Sequence, residues 1–225
     1  MRAPVFCFVL AMVSGLSATA GAVTPVEFPI ASRGDIWFQA DHAAFLDAEG
    51  GVIQEYYFRI SNNQLKFEEN DGKLEGRVFI KLRFKDADDS GIGEAGHRYG
   101  FRVSSEEVAA SASHAQLLLL QEPLDPRTRF VEIEIEDLNA RKRGLLYMVT
   151  GKRKNGEAKG ILPEAQISRG ELTTSDVQFA WEVHTRTADS SFEKNGFDVI
   201  PNPARSYGLL QPRLSGYVEV YDQRP

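Results

Sequence analysis

Between Arg77 and Lys85 the chain alternates regularly enough to dictate its own local geometry. Val78, Ile80, Leu82 and Phe84 fall on one side of a two-residue period, and Arg77, Lys81, Arg83 and Lys85 on the other, with Phe79 as the single exception. Only an extended strand sends alternate side chains to opposite faces, whereas a helix would scatter the same residues around its circumference. The rhythm returns at Val131, Ile133 and Ile135 against Glu132, Glu134 and Glu136. It returns again at Val177, Phe179, Trp181 and Val183 against Gln178, Ala180, Glu182 and His184. Gln54 to Ile60, rich in Tyr and Phe, and Leu117 to Leu120 read as further strands, the latter suited to burial on both faces.

Turn formers separate these runs. Glu49-Gly50-Gly51, Ser61-Asn62-Asn63, Asn70-Asp71-Gly72, Asp88-Asp89-Ser90-Gly91 and Asn155-Gly156 each supply residues that tolerate positive φ or close Asx turns. Ser104 to Ala112 is the exception, and its Ser-Ser-Glu-Glu opening predicts a turn or two of helix capped by Ser104 or Ser105, crossing from one sheet to another. Many short strands with turns between them predict an all-β protein: an immunoglobulin-like antiparallel β-sandwich over residues 33–155. The polar stretch that begins at Lys152 and precedes Pro163 has a composition suited to a linker or a long hairpin end, and a linker over 156–170 is expected. Residues 171–225 hold too few strand signals to close a sandwich. They are expected to form a partial second β domain that is either incomplete or docked on the first domain or on a partner.

The first 22 residues have the pattern of a signal peptide. Arg2 precedes the apolar run Val5 to Leu16, which is too short to span a bilayer, and Ala18-Thr19-Ala20-Gly21-Ala22 offers small residues for cleavage. Cys7 lies inside this run, so the expected exported chain contains no cysteine and relies on burial in place of disulfides. Of 26 Lys+Arg and 32 Asp+Glu, the leader holds one Arg, which leaves 25 − 32 = −7. That sign argues against nucleic-acid binding, which depends on clustered cations, and no later segment reads as a membrane span. Periplasm, cell surface and extracellular space are all compatible destinations.

Candidate chemistry is sparse. Asp86-Ala87-Asp88-Asp89-Ser90-Gly91-Ile92-Gly93-Glu94 follows the early positions of a calcium loop, but His97 stands where a bidentate carboxylate is required, so a hairpin loop is expected. Glu132, Glu134 and Glu136 stand about 7 Å apart along one strand and are expected to be a solvated face. His42, His97, His114 and His184 show no metal spacing, and His184 with Asp189 and Ser190 matches a triad in residue type only. Arg141-Lys142-Arg143 and Lys152-Arg153-Lys154 flank an expected strand at Leu145 to Gly151. Tyr57, Phe79, Tyr217 and Tyr221 are expected either to face a second core layer or to mark a binding edge. No catalytic, cofactor-binding or metal-binding residue is assigned, and no cofactor is called for.

Several strings resemble the region that precedes the C-terminal motif in bacterial GWxTD domain-containing proteins. They are Ser175-Asp176-Val177, Phe192-Glu193-Lys194-Asn195-Gly196, Val199-Ile200-Pro201-Asn202-Pro203-Ala204-Arg205-Ser206-Tyr207-Gly208 and Tyr217-Val218-Glu219-Val220-Tyr221. Glu55-Tyr56-Tyr57-Phe58-Arg59-Ile60 and Ile133-Glu134-Ile135-Glu136-Asp137-Leu138-Asn139 are similar in kind. The Gly-Trp-x-Thr-Asp string itself is absent, since Trp37 follows Ile36 and Trp181 follows Ala180. The resemblance implies exported, tandem sandwich-like modules and a chain lacking its C-terminal part, and it brings no catalytic residues. The expectation is therefore an exported non-catalytic module with an interaction, assembly or structural role in the cell envelope, whose partner is an unknown protein or envelope component. The alternatives are the accessory N-terminal region of a cell-envelope enzyme and a calcium-dependent adhesive module.

Overall fold

The computed structural model describes residues 23–141, 152–164, 167, 172–186, 190–208 and 212–222. The leader at 1–22, the expected strand at Leu145 to Gly151, Lys142, Arg143 and Asp189 lie outside the described residues. The chain is built from strands. β1 (Val26–Glu27), β2 (Ile30–Ala31) and β3 (Arg33–Gly34) are short, and β4 (Phe38–Leu46), β5 (Val52–Ser61), β6 (Glu68–Asn70), β7 (Lys73–Lys85) and β8 (Gly91–Val103) follow. One helical turn, α1 (Glu106–Ala109), precedes β9 (Ala115–Pro123), β10 (Phe130–Arg141) and β11 (Arg153–Ile161).

These strands make two sheets facing each other. One has the order β2-β4-β5-β9, and the other runs β1-β11-β10-β7, with β3 on β11 and both β6 and β8 on β7. Between them lies the core that the alternation predicts. Val78, Ile80 and Leu82 of β7 and Val131, Ile133 and Ile135 of β10 meet Phe38, Tyr56, Phe58, Ile60 and Leu120 from the opposite sheet, all of them buried. The glutamates of β10 face outward, but against cations as well as water. Glu132 lies 3.1 Å from Lys85 and 3.5 Å from Lys159, and Glu134 lies 3.1 Å from Arg83.

Three of the five expected turns reverse the chain into hairpins, and a fourth, at Ser61-Asn62-Asn63, turns it from β5 in one sheet toward β6 in the other. Gly50, Asp71, Gly72 and Asp89 all adopt positive φ, and residues 62–64 form a single 3-10 turn after β5. Within the Asp86 loop, the Asp86 carboxylate accepts from the backbone N–H of Asp88 and Ser90 at 3.0 and 2.9 Å, which is turn closure. The helix is capped as its sequence predicts, with the Ser105 hydroxyl accepting from Val108 N at 3.3 Å, and it carries the chain from β8 in one sheet to β9 in the other.

Asn155-Gly156 is not a turn, and the linker expected over 156–170 is not one up to residue 161. Both stretches belong to β11, paired with β10 from Phe130↔Ile161 to Glu136↔Asn155. Packing explains the glycine. A Cβ on Gly156 would lie 2.1 Å from the Ile36 carbonyl oxygen and 3.2 Å from the Phe38 ring. The same logic holds at Gly160, where the Phe28 ring occupies the missing side chain's place at 2.2 Å. Polar, glycine-rich composition therefore marks close approach of neighbouring chain here, not a flexible join.

Beyond residue 171 two small sheets cover the outer face of the β2-β4-β5-β9 sheet. β12 (Leu172–Thr174) pairs with β17 (Val220–Asp222), and β13 (Gln178–Thr185), β14 (Glu193–Lys194), β15 (Phe197–Pro201) and β16 (Ser215–Tyr217) form the order β14-β15-β13-β16. The expected inward face of β13 is reversed: Gln178 and Ala180 are buried, whereas Val177 and Val183 are exposed. A β-bulge between Ala180 and Glu182 interrupts the alternation.

Gly156→Ala should lower unfolding free energy by about 2–3 kcal/mol, because the obstructing atom is backbone and cannot rotate away. Gly91→Ala, with nothing within 4 Å, should stay within about 0.5 kcal/mol of the parent in the same denaturant titration.

Candidate functional site

The central sheet is buried on both sides, and its two faces are chemically different. Alternation along β4 and β5 sends Phe38, Ala40, Tyr56, Phe58 and Ile60 toward the sandwich core and Asp41, Ala43, Phe45, Glu55 and Tyr57 to the opposite face. Both strands read as almost continuously buried for this reason. Two ionisable carboxylates thus lie on a face that the C-terminal strands cover, and each meets a cation delivered from those strands.

Lys194 reaches Glu55. Its Nζ lies 2.6 Å from Glu55 Oε2, and the two side chains are only 8% and 5% exposed. Glu55 also accepts from the Tyr57 hydroxyl and, at 2.8 Å, from Gln121 Nε2 on β9. The ammonium stands 3.3 Å from the centroid of the Phe45 ring, 5.6 Å from that of Tyr217 and 5.9 Å from that of Tyr57. Burial pulls the Lys194 ammonium below its ordinary pKa, with the Glu55 charge opposing. Burial first, and then the same carboxylate, push the Tyr57 hydroxyl well above its usual value.

Arg205 reaches Asp41. The guanidinium donates from Nε and Nη2 to the two carboxylate oxygens at 2.8 Å each, a bidentate pair, and lies 4.5 Å from the Phe179 ring centroid. The Pro201-Asn202-Pro203 block builds the turn that presents it. Asn202 is fully buried, its N–H donates to Phe179 O at 2.9 Å, and its carbonyl accepts from Arg205 N at 2.9 Å with Arg205 at φ 45°. Burial raises the Asp41 pKa even though the Arg205 hydrogen bonds and charge pull it down.

Backbone contacts complete the joint. Where β2 ends, the free edge of β4 is capped by Asp176, whose carboxylate accepts from Ala44 N at 2.9 Å and whose N–H donates to Ala44 O at 3.0 Å. Leu46 N donates to the Tyr221 hydroxyl at 3.1 Å. Glu219 accepts from Tyr217 at 2.8 Å, Tyr221 at 2.7 Å and Asn195 at 3.0 Å. Burial, then this hydrogen bond, pushes the Tyr217 hydroxyl up to about 12. Beside Lys194 a cleft of about 310 Å³ opens, with Asp47, Glu55, Glu193 and Glu219 among its walls.

The residues singled out from sequence fall elsewhere or take other roles. Tyr57 and Tyr217 do belong to a second core layer, with Ala43, Phe45 and Leu119. Phe79 lies under Arg98, whose guanidinium carbon is 5.4 Å from the ring centroid. The four histidines sit in four separate places. His42 is buried against Gln54 at 2.8 Å, His97 joins Glu122 at 2.6 Å, His114 contacts Ser111, and His184 is 3.8 Å from Asp198. Lys154 donates to Gln64 O at 2.6 Å, and Arg153 donates to Leu138 O. Among the described residues no three His, Cys, Asp or Glu side chains converge to hold a metal ion, and no helix is long and apolar enough to cross a membrane. Sequence reasoning missed Asp41, Glu55, Lys194 and Arg205. The available signal was Asn195-Gly196, whose φ values of 48° and 84° make a two-residue hairpin turn directly after Lys194.

Comparison of the chain with protein-family models, with curated proteins and with solved structures finds no match in any of the three.

Two outcomes follow from these charges. Arg205→Ala strands Asp41 without its counter-charge and should cost about 3 kcal/mol at pH 7, the low end for a buried pair because the guanidinium is partly exposed. The loss should shrink in acid, because a carboxyl with a raised folded pKa becomes neutral before the unfolded one does. His42 behaves oppositely. Burial, aided by Arg205, lowers it from 6.5 to about 4, so the unfolded chain binds the extra proton between those values. Stability should therefore fall by roughly 3 kcal/mol as pH drops from 6.5 toward 4, and His42→Gln should flatten that slope in urea titrations.

Proposed function

We propose that the chain is an exported, non-catalytic β-sandwich module that serves interaction, assembly or spacing in the cell envelope. The observation that carries this reading is where the uncovered apolar surface lies. Among the described residues ten large hydrophobic side chains are exposed, and seven of them follow residue 171: Leu172, Val177, Val183, Phe197, Leu214, Val218 and Val220. Leu172, Val218 and Val220 are 61%, 47% and 65% exposed. Pairing Leu172↔Asp222 and Thr174↔Val220 puts Leu172 and Val220 on one outward face. Apolar side chains gathered on one outer face are the mark of a surface that meets another molecule.

The signal-like leader and the resemblance to GWxTD domain-containing proteins both support an exported setting. That resemblance also favours a second reading, the accessory region of a cell-envelope enzyme. The strongest charges at the joint, Glu55, Asp41, Lys194 and Arg205, are all committed to holding the C-terminal strands in place, which speaks for a structural rather than a catalytic use.

Val218→Glu combined with Val220→Glu should leave the circular dichroism spectrum unchanged and the Tm within about 2 °C of the parent, since both side chains face outward. In cells, photo-cross-linking from position 174 on that face should yield an envelope adduct with the parent and lose it with the double variant. An adduct pattern indifferent to the substitutions would sink the interaction reading. Turnover of glycans, peptides or esters by the purified chain would replace it with an enzymatic one.

A further inference from the structure

Lys194 is held as a bound ligand is held. Its ammonium has a carboxylate at 2.6 Å, a phenol oxygen at 3.4 Å and aromatic centroids at 3.3, 5.6 and 5.9 Å. Aromatic rings with one carboxylate are the recognition chemistry of organic cations, because the ring faces replace water at the cation while the carboxylate takes its proton donor. Three of the four rings and acids around Lys194 come from a different part of the fold, and only Tyr217, on β16, shares its sheet. Phe45, Glu55 and Tyr57 stand on the long strands β4 and β5, whereas Lys194 arrives at the tip of the β14–β15 hairpin.

Selectivity is visible within the molecule itself. Glu55 Oε2 accepts from the Tyr57 hydroxyl and, at 2.6 Å, from a Lys194 N–H, and a quaternary ammonium has no N–H to make that second bond. The flat guanidinium of Arg205 goes instead to Asp41, which it grips with two parallel bonds. The cleft beside the cage carries four carboxylates, Asp47, Glu55, Glu193 and Glu219, to the single ammonium of Lys194, which favours cations at its mouth.

We propose that Phe45, Glu55, Tyr57 and Tyr217 form a receptor for a primary alkylammonium group, and that Lys194 is its resident ligand, supplied by the chain itself. An ammonium from outside can enter only as Lys194 leaves, so occupation by a second ligand and docking of the hairpin exclude one another. This inference is independent of what meets the outer face of the C-terminal strands.

Chemical rescue tests it on the full chain. Lys194→Ala removes the atoms that n-propylammonium replaces, and the variant should lose several degrees of Tm. Added n-propylammonium should restore at least half of that loss with a saturable dose response, as a ligand of the native state must. Tetramethylammonium and NaCl at equal ionic strength should not, and the parent should gain less than a quarter as much. Adding Glu55→Gln to the variant should abolish the response. Equal gains in parent and variant, equal gains from tetramethylammonium, or no gain would overturn the proposal. If Lys194→Ala does not fold, the parent supplies the test by NMR: the Lys194 Hε protons over the Phe45 ring should be displaced upfield, and random-coil shifts there would overturn it.

Discussion

Two carboxylates on the outer face of a sheet decide how the rest of this chain must be arranged. Asp41 and Glu55 lie among Ala43, Phe45, Tyr57 and Leu119, an apolar surface that folding gains by covering. Covering it with hydrocarbon alone would strand two ionised groups at a cost comparable to the whole stability of a domain. The cover must therefore bring cations and hydrogen-bond donors to two fixed points. Lys194 and Arg205 meet that demand from two different turns, the Asn195-Gly196 hairpin and the Pro201-Asn202-Pro203 block.

The same demand explains why so few strands suffice after residue 171. Sheets of two and four short strands cannot enclose a core of their own, and such pieces are marginal alone in water. Here they need no second layer, because the sandwich already offers one. The architecture is three layers deep: the β10-centred sheet, the doubly buried β4–β5 sheet, and the small sheets that cap it. The ion pairs fix where the third layer sits, whereas the aromatic contacts of Phe45 with Tyr217, 6.2 Å between centroids, fill the space between them. Apolar contact alone is non-directional, so the charges supply the register.

Much of the sandwich was legible in the sequence because its signals are local. β5, β7, β9 and β10 announce themselves by period or by apolar run, and α1 by its cap. β8 does not: glycines at 91, 93, 96 and 100 dilute its pattern, and of these Gly96 has a packing reason, the Phe79 ring standing 2.8 Å from where its Cβ would be. Asn155-Gly156 misleads for a related reason, as the residue types of a turn are also those of a tight backbone crossing. The joint was illegible because its partners are far apart in the chain, 139 positions for Lys194 and Glu55 and 164 for Arg205 and Asp41. A charge inside an apolar strand signals that a partner exists but not which residue it is.

The last strand segments show how one buried face dictates what the other must be. Tyr217, Glu219 and Tyr221 point inward, where Asn195, Ser175 and the Leu46 N–H supply partners for their polar atoms. With a two-residue period, that choice obliges Val218 and Val220 to point outward. Sliding the strand by one residue would bury the valines, yet it would take Tyr217 from the cage and the Tyr221 hydroxyl from the edge of β4. The exposed aliphatic face is thus bound to the polar joint beneath it. A chain that docks its third layer through hydroxyls and charges leaves greasy side chains for whatever lies beyond.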